Sequence, residues 1–305
     1  MKVFVAGATG AIGRPLIKSL TLAGHTTFGM VRSQSSSASV SDTGAEPIIA
    51  DALDAASVRA AVAKVRPDVI INELTSLPKH YTPTDMEAAA DRDACVRLEG
   101  NKNLIAAALQ TGVRRFLVQS TGFWYAPGEG SADESERFAY GASPAVAAGA
   151  QRYAELEAMT FAQREFEGVA LRYGFFYGPG TWFTPDGDMG EHVRQQQVPT
   201  IGYGQGVWSW VHIDDAADAT VRALNCAPGP YNIVDDNPSQ QHVWLKAFAR
   251  YCGALEPPHV SEQGALQAAG LDAVYYATRL RGASNAKAKR ELGFCPRPLE
   301  WLATR

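Results

Sequence analysis

Three hydroxyls fall close together in "QSTGFWY": Ser120, Thr121 and Tyr125. A serine or threonine hydroxyl can donate to a substrate oxygen and accept a bond in return. A phenol can move a proton once its pKa, near ~10 in water, is drawn towards working pH. A neighbouring ammonium one helical turn away does this by stabilising the phenolate. A second phenol, Tyr140, stands in "AYGASPAVAAGAQRY", where Ser143 and Pro144 have the types of a helix cap and first helical residue. Tyr140 therefore precedes that helix, and the position four residues on is proline. No lysine occurs between Lys102 and Lys246. Arg152 offers a cation, but a guanidinium does not give up its proton. A lysine-tuned tyrosine is thus excluded from the whole stretch. Thr121, Ser120, Tyr125 and, further upstream, His80 (with Tyr81 beside it) are the groups left for acid/base work. Each also has a plain reading: a strand-end threonine bonding to nearby backbone, or a solvated loop histidine.

The segment "VAGATGAIG" carries different chemistry. Gly7, Gly10 and Gly13, with Thr9, Ala11 and Ile12 between them, separate a β-branched run from an amphipathic one. Glycines at a strand-to-helix turn permit the tight turn, the approach of backbone to a pyrophosphate and the packing of helix on strand. Unpaired N–H groups at the helix start then face the phosphates. The pattern predicts a bound dinucleotide. Where NAD is bound, an acidic residue usually ends the second strand. Here "GMVRS" places Arg32 at that point, and Arg14 follows the third glycine. Forked guanidinium donors suit a 2′-phosphate. The expected cofactor is NADP rather than NAD, the alternative being that Arg32 is a solvated strand end.

The elements that would position these groups alternate along the chain. Strands are expected at "KVFVA", "TTFGMV", "EPIIA", "DVIIN", "RFLVQS" and "GVALRYG". Helices are expected at 11–24, "SVRAAVAKV", about Met86 to Thr111, and Ser143 to about Glu167, the last stopped by Gly168. This order predicts an α/β fold, a Rossmann-type doubly wound parallel sheet. The serine-rich stretch 33–41 is expected to be a loop. From Gly178 the texture turns to glycine, proline and aromatic residues, and a strand-helix unit returns at "WVHIDDAADATVRAL". The expected division is a dinucleotide-binding domain over 1–178, rejoined by 207–227. A smaller discontinuous C-terminal substrate domain takes 179–206 and 228–305, including strand "YNIV". Phe123, Trp124, Phe175, Trp182 and Trp208 crowd the expected rim. They suit an apolar or ring-shaped ligand, or else fill the core between the two parts.

Composition excludes several classes. The chain of 305 residues has a formal net charge of -4, which predicts no attraction to nucleic acid or membrane. No apolar run approaches the ~20 residues of a membrane span, and because the first strand is expected from Lys2 no signal peptide is expected. Four cysteines, Cys95, Cys226, Cys252 and Cys295, form no CxxC pair, so reduced thiols and no metal site are expected. The protein is expected to be cytoplasmic. Its expected partners are a small apolar or aromatic substrate and, in a homodimer, a second copy of itself.

Taken in order, these features resemble the short-chain dehydrogenase/reductase superfamily, and within it the extended or atypical branch of NAD-dependent epimerase/dehydratase-like proteins. The pieces are "GATGAIG", "ADALD", "EGNKNLIAAALQTGVRRFLVQST", "LRYGFFYGPG", "WVHIDDAADA" and "SNAKAKRELGF". The resemblance implies that Gly7, Thr9, Gly10, Ala11, Ile12, Gly13, Arg32, Asp51, Ala52 and Leu53 line the adenosine and pyrophosphate end. Thr75 and the backbone from Tyr173 to Tyr177 would line the nicotinamide end. Thr121 falls at the family's Ser/Thr position, with Ser120 beside it. Counting back from "ALR" puts the family's tyrosine-lysine pair at Gly149 and Tyr153, where neither residue matches. His212 is expected to be structural. Arg172, Arg194 and Arg279 are too scattered to grip a sugar diphosphate. Three readings remain: an atypical NADP-dependent reductase of an apolar or ring-containing molecule, a non-redox isomerase or lyase, and an NADP-sensing regulator without turnover.

Overall fold

Strand β1 (Lys2–Ala6) buries every residue after Lys2, so both of its faces must be covered. The computed structural model, which describes residues 1–303, covers them with helices on either side of a seven-stranded sheet. The first half runs α1 (Gly13–Leu22), β2 (Thr26–Val31), α2 (Ser37–Ser41), β3 (Glu46–Ile49), α3 (Ala55–Val65), β4 (Val69–Asn72), α4 (Pro83–Thr111) and β5 (Arg115–Thr121). It continues with α5 (Pro144–Phe161), β6 (Glu167–Tyr173), β7 (Phe175–Tyr177), α6 (Asp188–Arg194), β8 (Thr200–Ile201), β9 (Val207–Trp208), β10 (Trp210–His212) and α7 (Ile213–Arg222). The remainder is β11 (Gly229–Ile233), β12 (Ser239–Gln240), α8 (Gln241–Tyr251), β13 (His259–Val260), α9 (Glu262–Thr278), α10 (Ala286–Leu292) and α11 (Glu300–Ala303).

The large sheet has the order β3-β2-β1-β4-β5-β6-β11, all parallel. Strand order reverses between β1 and β4, the point at which such sheets open a crevice at their carboxyl edge. Leu16, Ile17 and Leu20 form one face of α1 and pack, with Ala216 and Ala219 of α7, on one side of the sheet. Val58 and Val62 of α3 and Leu104 and Ala108 of α4 cover the other. A third, aromatic core lies beyond the sheet, where Tyr177, Phe183, Trp208, Trp210, Trp244 and Trp301 pack together.

Several local readings are corrected. The serine-rich stretch is helical, because Val40 packs directly over Gly29 and the Ser39 hydroxyl donates to the Ser36 carbonyl at 2.8 Å. Helix α5 ends at Phe161, and Gly168 lies inside β6. A side chain at 168 would come within 3.0 Å of the Thr160 carbonyl, so this glycine serves close packing rather than helix termination. Ser143 does occupy the cap position of α5, with Pro144 first in the helix, but its hydroxyl makes no capping bond. The strand containing "YNI" pairs with β6 and becomes the seventh strand of the large sheet, so that part of the expected boundary at 228 moves. The remaining short strands make three two-stranded pairs, β10-β7, β12-β9 and β13-β8.

Candidate functional site

The loop after β1 turns at Gly7, whose φ is +88°. A Cβ there would lie 2.4 Å from the carbonyl oxygen of Glu73, just beyond β4. A Cβ at Gly13 would lie 2.2 Å from the Gly7 carbonyl. Both positions therefore need glycine for the loop to lie flat on the edge of the sheet. The helix that follows, α1, has no side chain capping its first turn; the Arg14 amide donates to the Gly10 carbonyl at 3.4 Å and Pro15 carries no N–H, so of its first three positions Gly13 has the amide free for another acceptor. Thr9, Gly10, Ala11 and Ile12 complete this turn. Arg32, at the end of β2, and Arg14 are exposed, and neither forms an ion pair among the described residues. After β3, the Asp51 carboxylate accepts from the Leu53 amide at 3.0 Å, and the Ala52 carbonyl accepts from Asn103 Nδ2 at 2.8 Å. Leu53 is exposed and Thr75 partly so. The structure thus brings the loops after β1, β2, β3 and β4 to one edge, with chemistry that fits a dinucleotide phosphate.

The same edge holds a buried carboxyl that the sequence reading passed over. Glu73 is enclosed, and desolvation raises its pKa to about 8, against the lowering effects of a Tyr173 contact and the charge of Arg97. Its Oε1 lies 3.0 Å from the Tyr173 hydroxyl, and its Oε2 has no partner. The Tyr173 oxygen is 2.6 Å from Thr220 Oγ1, which in turn donates to the Ala216 carbonyl at 2.7 Å. The Tyr173 hydroxyl donates to Glu73 Oε1, and these contacts join Glu73, Tyr173, Thr220 and the Ala216 carbonyl in one buried run of oxygens. Tyr173 meets this edge with its side chain as well as its backbone. The only sequence signal for Glu73 is a lone acid directly after "VIIN" with no cation nearby in the chain.

The three hydroxyls of "QSTGFWY" separate. Ser120 donates to Glu157 Oε1 at 2.6 Å. Glu157 also receives Arg172 Nε at 2.8 Å and its NH2 at 2.7 Å, and both side chains are buried. Arg172 NH1 donates to the Tyr125 oxygen at 2.9 Å, and Tyr125 donates to Asn232 Oδ1. Burial raises the Tyr125 pKa to about 12 despite that arginine. Ser120 and Tyr125 are therefore committed to a buried network linking β5, α5, β6 and β11. Both are candidates for acid/base work from the sequence; in the fold their hydroxyls bond to other side chains of the protein. His80 is 73% exposed at its side chain and pairs with Asp188 at 3.4 Å, which fixes the loop after β4 to α6 rather than to the sheet edge. Thr121 differs from all of these. It is 1% exposed, and its hydroxyl has no partner. His212 caps α7, its Nδ1 accepting from the Asp214 amide at 3.1 Å, as a structural histidine should.

Tyr140 is exposed and outside α5. Gly149 and Tyr153 lie one turn apart on that helix, and both are buried. A Cβ at Gly149 would stand 2.2 Å from Trp124 Cζ3, so the indole occupies the volume a side chain would fill. Tyr153 is buried, with the Arg97 guanidinium 5.1 Å from its ring centroid. Arg97 comes from α4 and is held by Asp93 at 2.7 Å. Desolvation raises the Tyr153 pKa more than Arg97 lowers it, so this phenol stays neutral. Around the edge runs an aromatic wall: Phe123 stacks on Phe175 at 4.0 Å, and Phe175 on Trp208 at 4.2 Å. Trp208 belongs to the third core, whereas Phe123, Trp124 and Phe175 are only partly buried. The aromatic residues thus divide between core and rim.

Known proteins share this fold. The model of the NAD dependent epimerase/dehydratase family matches residues 3–233. The chain is 36% identical over 304 residues to the 3-diazoavenalumate denitrifying reductase of a Streptomyces species, covering 99% of this chain and 98% of that one. It is 24% identical over 324 residues to a 4-hydroxy-2-methyl-3-oxo-4-farnesyl-3,4-dihydroquinoline-1-oxide ketoreductase of Stigmatella aurantiaca, covering 97% and 92% of the two chains. The dTDP-glucose 4,6-dehydratase DesIV of Streptomyces venezuelae, solved with NAD bound, superposes with a TM-score of 0.75 over 99% of this chain and 95% of its own, at 18% identity. With its parallel sheet, its glycine turn and a family match over most of its length, the chain belongs to the NAD dependent epimerase/dehydratase family.

Proposed function

We propose that this protein is an NADPH-dependent reductase of a ring-bearing electrophile that takes up hydride without needing a proton at oxygen, an aryl diazonium being the acceptor that fits best. The observation that carries this reading is Gly149 beneath the Trp124 indole, with neutral Tyr153 one turn later and no lysine between 102 and 246. Carbonyl reduction needs an acid to protonate the new alkoxide. A bound dihydronicotinamide supplies hydride. On an aryl diazonium that hydride completes the balance: the C–N bond breaks, dinitrogen leaves with its electron pair, and a C–H bond forms from the hydride pair. The name of the 36% identical relative, a denitrifying reductase of a diazo compound, supports the same acceptor class.

In this reading the loop from Gly7 to Gly13 and the start of α1 hold the pyrophosphate. Asp51, Ala52 and Leu53 border the adenosine, and Thr75 with the Tyr173–Tyr177 backbone borders the nicotinamide. Arg32 and Arg14, exposed and unpaired among the described residues, receive a 2′-phosphate. NADPH should therefore bind more tightly than NADH, and Arg32→Asp should erase or reverse the preference. Loss of one charged hydrogen bond is worth about 1.5–3 kcal/mol, or roughly tenfold to a hundredfold in affinity. Calorimetry giving equal affinities for the wild type would sink the choice of NADP.

Thr121 orients the acceptor through its unpartnered hydroxyl. Thr121→Val keeps the shape and removes that group. Turnover should fall by roughly tenfold, about the worth of one hydrogen bond, with NADPH affinity unchanged. Unchanged turnover would remove Thr121 from the site. The reading as a whole is tested by NADPH oxidation and dinitrogen release with a panel of aryl diazonium, iminium, enone and ketone acceptors. Rapid reduction of ketones, with diazonium inert, would overturn it. Tight NADPH binding without any turnover would point instead to a sensor.

A further inference from the structure

Tyr276 lies on α9, outside the sheet, and is tied to two indoles, Trp124 in the loop after β5 and Trp208 of the third core. Trp124 Nε1 donates to its hydroxyl oxygen at 3.1 Å, and Trp208 Nε1 donates to its carbonyl at 2.9 Å. Asp272, one turn earlier, accepts from the Ala145 amide at the start of α5 at 3.2 Å and holds α9 in place. The Trp124 indole is thereby pinned between Tyr276 and the bare backbone of Gly149. A phenol has one hydrogen and two acceptor positions. The Tyr276 oxygen is used as an acceptor, and among the described residues nothing accepts its hydrogen. Desolvation holds this phenol neutral, so that hydrogen stays available.

We propose that Trp124, pinned over Gly149 by Tyr276, is the stacking wall of the acceptor site, and that the Tyr276 hydroxyl donates to an oxygen substituent on a planar aromatic substrate. This rests on the reductase reading and narrows it from any ring-bearing electrophile to oxygen-substituted arenes. The geometry carries it: the donor adjoins the indole edge, so a ring lying on Trp124 brings a substituent to the unpaired Tyr276 hydrogen. A saturated or sugar ligand would bury apolar surface on the wall but would miss the added gain of offset stacking, which needs a second flat ring.

The test is equilibrium binding to the full chain loaded with NADP, which is separate from turnover. Calorimetry compares naphthalene, 2-naphthol and 2-methoxynaphthalene. In the wild type 2-naphthol should bind roughly tenfold more tightly than naphthalene, the worth of about one hydrogen bond. The methoxy compound, which accepts but cannot donate, should bind within about threefold of the naphthol, because the protein is the donor. Tyr276→Phe removes both the donor and the acceptor of Trp124 Nε1, so it should weaken all three ligands and abolish the preference for oxygen, the readout being the ratio of naphthol to naphthalene affinity within the variant. Gly149→Ala, whose methyl would sit 2.2 Å from the indole and displace it, should weaken all three ligands. The proposal is overturned if Tyr276→Phe keeps the preference, if the methoxy compound behaves like naphthalene, or if the wild type binds none of the three. Ring binding that persists without diazonium reduction would sink the reductase reading and leave this site standing.

Discussion

Glu157→Ala should destabilise the protein by about 3–5 kcal/mol, lowering Tm by roughly 6–15 °C. The cause is what the substitution leaves behind. Arg172 is 5% exposed, and it gives Glu157 two of its donors, at 2.8 and 2.7 Å. Without Glu157 the guanidinium keeps the Tyr125 oxygen and the Glu134 carbonyl but has no compensating charge. Ser120 loses its acceptor as well. The damage spreads because Tyr125 passes the network to Asn232, which donates to the Ala132 and Ser284 carbonyls at 3.2 and 3.0 Å. Glu157→Met combined with Arg172→Met should recover much of the loss, since two apolar side chains of similar size need no partner. Thermal melts of the single and double variants measure this. A single variant melting within a degree or two of wild type would show that the network does not hold the fold. It would also return Ser120 and Tyr125 to the list of groups free for chemistry.

The second large effect is a dependence of stability on pH set by Glu73. Its carboxyl titrates at about 8 in the fold and at an ordinary 4.5 when solvated. The native state therefore holds a proton that the unfolded chain has already released. Stability from this group is complete below pH ~4.5 and is lost as pH rises through ~8, by up to roughly 5 kcal/mol at about 1.4 kcal/mol per tenfold in proton affinity. Between pH 6 and pH 8.5 the loss should be roughly 2–3 kcal/mol. Asp235, raised by burial to about 7, acts in the same direction over a lower range, so the wild-type curve alone does not isolate Glu73. Glu73→Gln isolates it: the amide keeps the shape and has no proton to lose. The variant should melt higher than wild type at pH 8.5 and show a flatter profile. Parallel curves would mean that Glu73 is charged throughout.

The sheet was legible because its strands are short apolar runs set between longer helical ones, as in β1, β4 and β5, which bury both faces. The glycine turn was legible because its spacing is local. What failed to show were features decided by partners far along the chain. The serine-rich stretch folds because Val40 finds Gly29, and β11 joins the sheet because β6 offers it an edge. Ser120 and Tyr125 looked available until Glu157, Arg172 and Asn232, distant in sequence, were seen to claim them. Glu73 gave no signal beyond its position, since burial rather than any neighbouring residue sets its chemistry. Gly149 was visible as a mismatch. Its meaning came only with the indole of Trp124 packed on it and Tyr276 holding that indole from the other side.

The central claim is that hydride alone completes the reaction, so the origin of the new hydrogen tests it most directly. NADPH carrying deuterium at both C4 positions of the dihydronicotinamide, incubated with the enzyme and an aryl diazonium in ordinary water, should give an arene with one deuterium at the carbon that lost nitrogen. Oxidised cofactor and dinitrogen should form in equal amounts. An arene whose new hydrogen comes from water, or nitrogen loss without cofactor oxidation, would contradict the account.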